Sequence, residues 1–326
     1  MKSPGLSLFC VCLLISLTAC TAPGAEGGGS QVEQAPAQTP LLVVTKSAVT
    51  QPPTAAAVRL SADDEVSHPA GASQPALPTS ASPAESLEAP GCSPEGGRFE
   101  GGSLSSKLLP EPLEFSVYLP PCYHQDREQR YPALYLLHGQ GYHHDQWDRL
   151  GADESADRLI LAGEIAPFLI VLPRDRSWAQ PDEDLFGQAL VEELIPHIDT
   201  TYRTRPERLY RAIGGLSRGA AWAVHLGLSR WQEFGRIGAH SLPVFFSDAP
   251  KIRKWLESIP AESTPWIYLD IGERDRPETL ESARWFENLL TEEGVPHEWH
   301  LFSGYHEESY WQAHVEQYLR WYAGEW

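Results

Sequence analysis

Aromatic residues are missing from the first part of the chain. No Phe, Trp or Tyr occurs between residues 21 and 98, whereas all 11 tryptophans lie from Trp147 onward. Residues 21–90 are rich in Ala, Pro, Gly, Ser, Thr and Gln, with ten prolines. Such a segment buries too little apolar surface to offset the entropy of ordering its backbone. We therefore expect a disordered tether at residues 20–91 and one folded domain at residues 92–326.

Positive charge is also scarce. The whole chain carries a formal net charge of −19, and residues 91–326 contain 22 basic against 37 acidic side chains. A surface this acidic repels nucleic-acid phosphates and anionic lipid headgroups. We expect no nucleic-acid partner and no polybasic membrane anchor, and the residues give no basis for inferring a protein partner.

The apolar run near the first residue is too short to cross a bilayer. It covers residues 6–17, about 12 residues against the roughly 20 that a spanning helix needs. Because it follows Lys2 and precedes small residues, residues 1–19 are predicted to be an export signal. Leu17-Thr18-Ala19-Cys20 resembles the bacterial lipobox, in which the cysteine is acylated. The expectation is an exported lipoprotein held at the extracytoplasmic face of a membrane through Cys20. A secretory signal cut near Ala19 is the alternative.

Cysteine is rare outside this signal. Of five cysteines in the chain, only Cys92 and Cys122 follow Cys20. Two cysteines in an exported domain predict a disulfide between them. Two buried free thiols are the alternative.

Short apolar runs alternate with longer amphipathic stretches from residue 92 onward. Strands are predicted at residues 113–119, 133–138, 168–172, 208–214, 236–240, 266–271 and 298–302. Helices are predicted at residues 145–161, 182–198, 219–228, 249–258, 277–293 and 308–322. Strands that are apolar nearly throughout and alternate with helices indicate an α/β domain with a mostly parallel sheet covered on both faces.

The loops that follow the strands are where such a sheet places its ligands. One of them reads Gly215-Leu216-Ser217-Arg218-Gly219 and lies between a predicted strand and a predicted helix. G-x-S-x-G in that context forms a sharp turn that exposes the serine hydroxyl at the start of the helix. Ser217 is therefore the candidate nucleophile. A glycine-rich turn that only packs the helix closely is the alternative.

A serine nucleophile needs a base to take its proton and an acid to orient the base. In hydrolases with this turn the acid follows the serine, and the histidine follows the acid. The strand at residues 266–271 leads to three carboxylates, Asp270, Glu273 and Asp275. Asp275 lies furthest beyond the strand and is the preferred acid, with Asp270 and Glu273 left open.

Four histidines follow residue 275, namely His297, His300, His306 and His314. Only His306 falls in a short loop between a predicted strand and a predicted helix, so it is the candidate base.

The loop His138-Gly139-Gln140-Gly141-Tyr142 follows another strand. An oxyanion needs two preorganised N–H donors, and we assign these to the backbone N–H groups of Gln140 and Arg218. Adjacent histidines such as His143 and His144 seldom face the same way, so neither a metal nor another cofactor is expected.

Aromatic side chains near these loops are candidates to line a substrate cleft or to pack in the core. They are Tyr142, Trp147, Trp178 and Trp311. Arg174 and Asp175, after the strand at residues 168–172, are expected to contact the substrate or to pair with one another.

Three segments together resemble the putative-esterase family of α/β-hydrolases. They are residues 131–139, the turn at residues 215–219, and Gly304-Tyr305-His306. The family includes enterochelin esterases, feruloyl and acetyl xylan esterases, S-formylglutathione hydrolases and mycolyltransferases. The resemblance covers roughly residues 95–325 and implies Ser217, Asp275 and His306 as the triad, with Gln140 and Arg218 as oxyanion donors. Ala220 and Tyr305 depart from the family pattern.

These observations predict a surface-tethered serine esterase that acts on a small-molecule or glycan ester through an acyl-enzyme. Acyl transfer on the same triad, as in mycolyltransferases, is one alternative. A non-catalytic lipoprotein that binds a glycan or a siderophore is another.

The lipobox makes a prediction about the mature N-terminus. Mass spectrometry of the protein from a lipoprotein-processing bacterial host should find Cys20 as an acylated first residue. After cell fractionation, the Cys20→Ala protein should no longer be recovered with the membranes. An unmodified N-terminus near Ala19 would instead establish ordinary secretion.

Overall fold

The computed structural model describes residues 96–125, 127–324 and 326. The chain divides into two units, Met1–Ala81 and Ser82–Trp326, and the described residues belong to the second. The predicted signal and tether, with Cys20 and Cys92, lie outside the described residues. Lipidation of Cys20 and the disulfide to Cys122 therefore stay predictions.

The described residues form an eight-stranded sheet in the order β1-β2-β4-β3-β5-β6-β7-β8. The strands are β1 (Arg98–Leu104), β2 (Leu113–Leu119), β3 (Ala133–Leu137), β4 (Leu169–Pro173), β5 (Arg211–Leu216), β6 (Arg236–His240), β7 (Trp266–Gly272) and β8 (Glu298–Phe302). Strand β2 pairs antiparallel with both of its neighbours, and the strands from β4 across to β8 are parallel. The prediction of a mostly parallel sheet in an α/β domain is confirmed.

Eight α-helices are described. They are α1 (Gln146–Arg149), α2 (Ala152–Leu161), α3 (Phe186–Ala189), α4 (Ile195–Thr201), α5 (Arg218–Ser229), α6 (Ile252–Ser258), α7 (Pro277–Glu292) and α8 (Glu308–Ala323). The helix predicted at residues 145–161 is divided into two, because Gly151 has a left-handed backbone with φ 82°. The helix predicted at residues 182–198 begins only at Phe186 and contains a π-helical turn, Leu190–Leu194.

The sheet separates two apolar cores. Residues Tyr135 and Leu137 of β3 face the core formed with helices α3 to α7, whereas Leu134 and Leu136 face the core formed with α1, α2 and α8. Alternation along a strand thus buries both faces of the sheet. The carboxyl ends of β3 to β8 meet at one edge, and all of the predicted catalytic loops lie there.

No helix among the described residues has the length and apolar character needed to span a bilayer.

Glycines in β5 and β6 let helix α8 approach the sheet. A Cβ atom at Gly214 or Gly238 would overlap the hydroxyl of Tyr322. Tyr322 is fully buried, and its hydroxyl lies 3.0 Å from Nε2 of His240. The close approach of α8 therefore depends on having glycine, which has no side chain, at positions 214 and 238.

We expect Gly214→Ala to lower the free energy of unfolding by about 2 kcal/mol, because the methyl group displaces a buried tyrosine. Gly101→Ala in β1 is the matched control, since a Cβ there meets nothing within 4 Å, and should change it by less than about 0.5 kcal/mol. Urea unfolding measures both, and equal effects would contradict the packing argument.

Candidate active site

Ser217 lies in a strained turn between the central strand β5 and helix α5. Its backbone angles are φ 52° and ψ −122°, which a residue with a side chain rarely adopts. A Cβ at Gly215 would overlap the backbone of Gly219, and one at Gly219 would overlap the carbonyl group of Leu137. The Ser217 N–H donates to the carbonyl oxygen of His240 at 2.9 Å. The two motif glycines thus allow the turn, and β6 holds it.

A histidine and a carboxylate complete a row of hydrogen bonds that begins at Ser217. Nε2 of His306 lies 2.9 Å from Oγ of Ser217, and Nδ1 lies 2.7 Å from Oδ1 of Asp275. Since the carboxylate only accepts, Nδ1 carries the proton and Nε2 can accept the serine hydroxyl. The side chains of His306 and Asp275 are 7% and 0% exposed. Three loops, after β5, β7 and β8, supply one residue each.

Asp275 is the carboxylate that reaches His306. Its Oδ1 also accepts the N–H of Arg276 at 2.7 Å, which fixes the carboxyl orientation. Glu273 is half-exposed and accepts the hydroxyl of Ser303 at 3.1 Å. Asp270 is buried elsewhere, where its Oδ1 lies 2.6 Å from Nδ1 of His240. The structure therefore separates three carboxylates that the sequence left open.

Helix α8 positions His306. The indole of Trp311 packs edge-on against the His306 ring, with centroids 5.0 Å apart. The Trp311 N–H donates to Oγ of Ser241 at 3.2 Å. Tyr305, which interrupts the family's usual Gly-His pair, turns outward, where Arg274 donates to its hydroxyl at 3.0 Å. That departure from the family pattern leaves His306 in contact with Ser217.

The loop after β3 lies directly beside the nucleophile. A Cβ at Gly139 would be 3.6 Å from Cβ of Ser217. The Gly139 N–H donates to Oε1 of Gln146 at 2.8 Å, which anchors the loop. Among the described residues, nothing accepts the backbone N–H of Gln140 or of Arg218. Two unpaired N–H groups next to a serine hydroxyl can stabilise an oxyanion that forms there.

His138 connects this loop to the loop after β4. Its Nδ1 donates to the carbonyl oxygen of Gly139 at 2.8 Å, and its Nε2 accepts the N–H of Asp175 at 3.0 Å. Both bonds require the neutral imidazole with the proton on Nδ1. Burial lowers the pKa of His138, which favours that neutral form.

The side chains of Asp175 and Arg218 form a buried ion pair. Nε of Arg218 donates to Oδ2 of Asp175 at 2.7 Å, and the Trp222 indole N–H donates to the same oxygen at 2.8 Å. Arg174 pairs instead with Glu114. The expectation that Arg174 and Asp175 pair with one another is therefore wrong. Both residues line the cavity between the loops after β3 and β4, so their expected contact with the substrate stays a prediction.

A cavity of about 400 Å³ opens between the loops after β3 and β4. Gln140, Tyr142, Trp178 and Arg218 are among the residues that line it. Trp178 is 71% exposed and Tyr142 is 43% exposed, so both present apolar surface to a ligand.

The cleft prediction is wrong for Trp147 and Trp311, which are 1% and 3% exposed. Trp147 packs in the core, where its N–H donates to the carbonyl oxygen of Leu137 at 3.0 Å, and Trp311 supports His306. Sequence reasoning missed Gln146, whose Oε1 accepts the Gly139 N–H and anchors the loop beside Ser217. No local pattern distinguishes this residue.

Within the described part of the chain, no group of three or more His, Cys, Asp or Glu side chains is arranged to hold a metal ion.

Curated proteins are similar to this chain in sequence. The chain is 30% identical over 201 residues to an endo-1,4-beta-xylanase/feruloyl esterase of Xylanibacter ruminicola, covering 56% of the chain and 27% of that protein. It spans about a quarter of the length of the curated relatives it matches.

Solved structures agree with the fold. A ferulic acid esterase superposes with a TM-score of 0.62 at 25% identity, covering 70% of this chain and 98% of the other. A ferulic acid esterase from Anaeromyces mucronatus, in complex with ferulic acid, gives 0.57 at 21% identity, covering 71% of this chain and 91% of the other. At that lower identity the likeness concerns the α/β-hydrolase fold alone.

A family model described as Putative esterase matches residues 106–322, which include every residue of the candidate site. The turn at Ser217 and the strands around it lie within the matched residues. The chain belongs to the putative esterase family.

Proposed function

We propose that the domain is a serine hydrolase of carboxylic esters. The observation that carries this proposal is the unbroken row of hydrogen bonds from Oγ of Ser217 through His306 to Oδ1 of Asp275, at 2.9 and 2.7 Å. A binding protein has no need of this row, or of a strained serine beside two unpaired N–H groups. A non-catalytic lipoprotein is therefore disfavoured.

Acylation begins when Oγ of Ser217 attacks the ester carbonyl carbon. Nε2 of His306 takes the hydroxyl proton, and Asp275 holds the imidazole and stabilises its positive charge. The carbonyl oxygen becomes an oxyanion and accepts from the backbone N–H groups of Gln140 and Arg218. As the tetrahedral intermediate collapses, His306 returns the proton to the leaving alcohol, and the acyl group stays on Ser217.

Deacylation repeats these steps with water as the nucleophile. His306 takes a proton from the water, and the new hydroxide equivalent attacks the acyl carbonyl carbon. Ser217 then leaves and recovers its proton from His306. No step of this mechanism uses a cofactor.

We further propose esters of aromatic acids as the substrate class. Support comes from the relatives named feruloyl or ferulic acid esterases. It also comes from Tyr142 and Trp178, whose exposed rings line the 400 Å³ cavity that reaches Gln140 and Arg218. An indole face gives a flat apolar surface against which an aromatic acyl group can pack.

The cellular setting is proposed from the sequence alone. The lipobox-like Leu17-Thr18-Ala19-Cys20 supports export and anchoring of the esterase at the extracytoplasmic face of a membrane.

Substitutions in the triad test the proposal, and a substitution of the neighbouring carboxylate Glu273 is the control. Ser217→Ala and Asp275→Asn should lower kcat for p-nitrophenyl acetate by about 10³-fold or more, because each removes a member of the relay. Glu273→Gln, two residues from Asp275 but half-exposed, should stay within about twofold of the parent. Parental turnover by folded Ser217→Ala protein would refute the proposal. Loss of activity on Glu273→Gln rather than Asp275→Asn would reassign the acid.

The substrate class predicts how acyl groups are ranked. Methyl ferulate should be hydrolysed with a higher kcat/KM than methyl esters of straight-chain acids, and Trp178→Ala should raise KM for ferulate about tenfold, the effect of roughly 1.4 kcal/mol of lost contact. Tyr202→Ala, outside the cleft, is the control. A preference for aliphatic acyl groups that Trp178→Ala leaves unchanged would exclude the aromatic assignment.

Adding an acceptor alcohol to the same reactions tests acyl transfer. A transferred acyl product exceeding free acid would identify a transferase acting through the same acyl-enzyme.

A further inference from the structure

A second groove lies at the opposite end of the sheet from Ser217, where β7 and β8 begin. It has a volume of about 460 Å³, and its lining includes Trp266, Trp321, Glu262 and Glu298, with Pro265 and Pro296 beside them. We call it the indole groove. Since β7 runs for seven residues from Trp266, the groove lies about 20 Å from the catalytic edge.

The two indoles of the groove contact the same arginine, Arg236. The guanidinium of Arg236 lies 4.5 Å from the ring centroid of Trp266 and 6.0 Å from that of Trp321. The Trp321 N–H donates to Oε1 of Glu298 at 2.9 Å, and Arg236 donates to the Trp321 carbonyl oxygen at 3.2 Å. Trp266 is nevertheless 49% exposed. A large apolar ring that packs against an arginine and still contacts water offers a surface on which a ligand can lie.

The charges around the groove restrict its ligand. Glu262 is exposed and the Glu298 side chain is 54% exposed, so both offer carboxylate oxygens that accept hydrogen bonds. They would repel an anion. A cation would gain from the two carboxylates but not from the indole faces on which Arg236 already lies. A neutral molecule with an apolar face and several hydroxyl donors at its edge fits both the indole surface and the acidic rim.

We propose that the indole groove binds sugar rings of a neutral polysaccharide. The C–H face of a sugar lies against Trp266, and its hydroxyls donate to Glu262 and Glu298. The volume is within the range of ordinary small-ligand sites. Binding here does not require hydrolysis at Ser217. If the proposed esterase function also holds, the groove retains a polymer whose ester groups are cleaved at the other end of the domain.

The test is calorimetric titration of the full-length Ser217→Ala protein with xylohexaose and with cellohexaose. Because neither oligosaccharide contains an ester, the result is independent of the esterase proposal. At least one neutral oligosaccharide should bind. Trp266→Ala in the same background should weaken that binding at least tenfold, and Glu298→Gln, which keeps an acceptor for the Trp321 N–H, should weaken it severalfold.

Two controls make the result specific. Trp285→Ala removes another partly exposed tryptophan, 39% exposed and outside the groove, and should leave the affinity unchanged. Trp178→Ala removes an exposed tryptophan at the catalytic cleft and should also leave the affinity of the indole groove unchanged. Thermal melting verifies that each variant is folded. The proposal would be overturned if neither oligosaccharide bound, or if Trp266→Ala and Glu298→Gln both bound as tightly as the Ser217→Ala parent. It would also be overturned if only Trp178→Ala abolished binding, or if anionic polygalacturonate bound as tightly as the neutral oligosaccharides.

Discussion

The peptide turn that carries Ser217 has a backbone conformation that the rest of the domain must hold in place. A residue at φ 52° and ψ −122° costs about 1–3 kcal/mol relative to a relaxed backbone. The turn persists because Gly215 and Gly219 allow close backbone contact and because His240, at the end of β6, accepts the Ser217 N–H. The position of the Ser217 hydroxyl therefore depends on where β5 lies, between β3 and β6 in the parallel sheet.

A buried carboxylate connects the other loops of the site to this turn. Asp270, at the end of β7, lies 2.6 Å from Nδ1 of His240 and accepts the hydroxyls of Tyr310 and Tyr318 at 2.6 and 2.8 Å. Three donors offset the cost of burying its charge. Tyr310 is adjacent to Trp311, which contacts His306. The ends of β6 and β7 and the start of α8 are thus joined directly beneath the triad. Of two aspartates five residues apart, one binds the scaffold together and the other orients the histidine.

How far the sequence predicted this domain depends on whether the signal was local. The apolar strands and the G-x-S-x-G turn are local patterns, and β2, β6 and β8 have the predicted bounds. Strand β1 was missed because its two glycines and polar residues give no apolar run, and only pairing with β2 makes it a strand. The sequence favoured Asp275 by its distance beyond the strand but left Asp270 and Glu273 open, since the partners of each carboxylate depend on the fold. Burial of Trp147 and Trp311 likewise depends on helix packing that periodicity does not specify.

Arg218, the fourth residue of the motif, connects the two loops that supply the proposed oxyanion donors. Arg218 supplies one backbone N–H, and its side chain binds Asp175, whose own N–H donates to His138 in the loop that supplies the other donor. Donors fixed before the reaction need no reorganisation when charge develops. Protonation of His138 would remove the acceptor of the Asp175 N–H and loosen this connection. Because burial lowers the pKa of His138, the connection persists to a lower pH than a solvent-exposed histidine would allow. The proposed base and the proposed oxyanion donors are thus held by different means: a carboxylate accepts the Nδ1–H of His306, and burial favours the neutral form of His138.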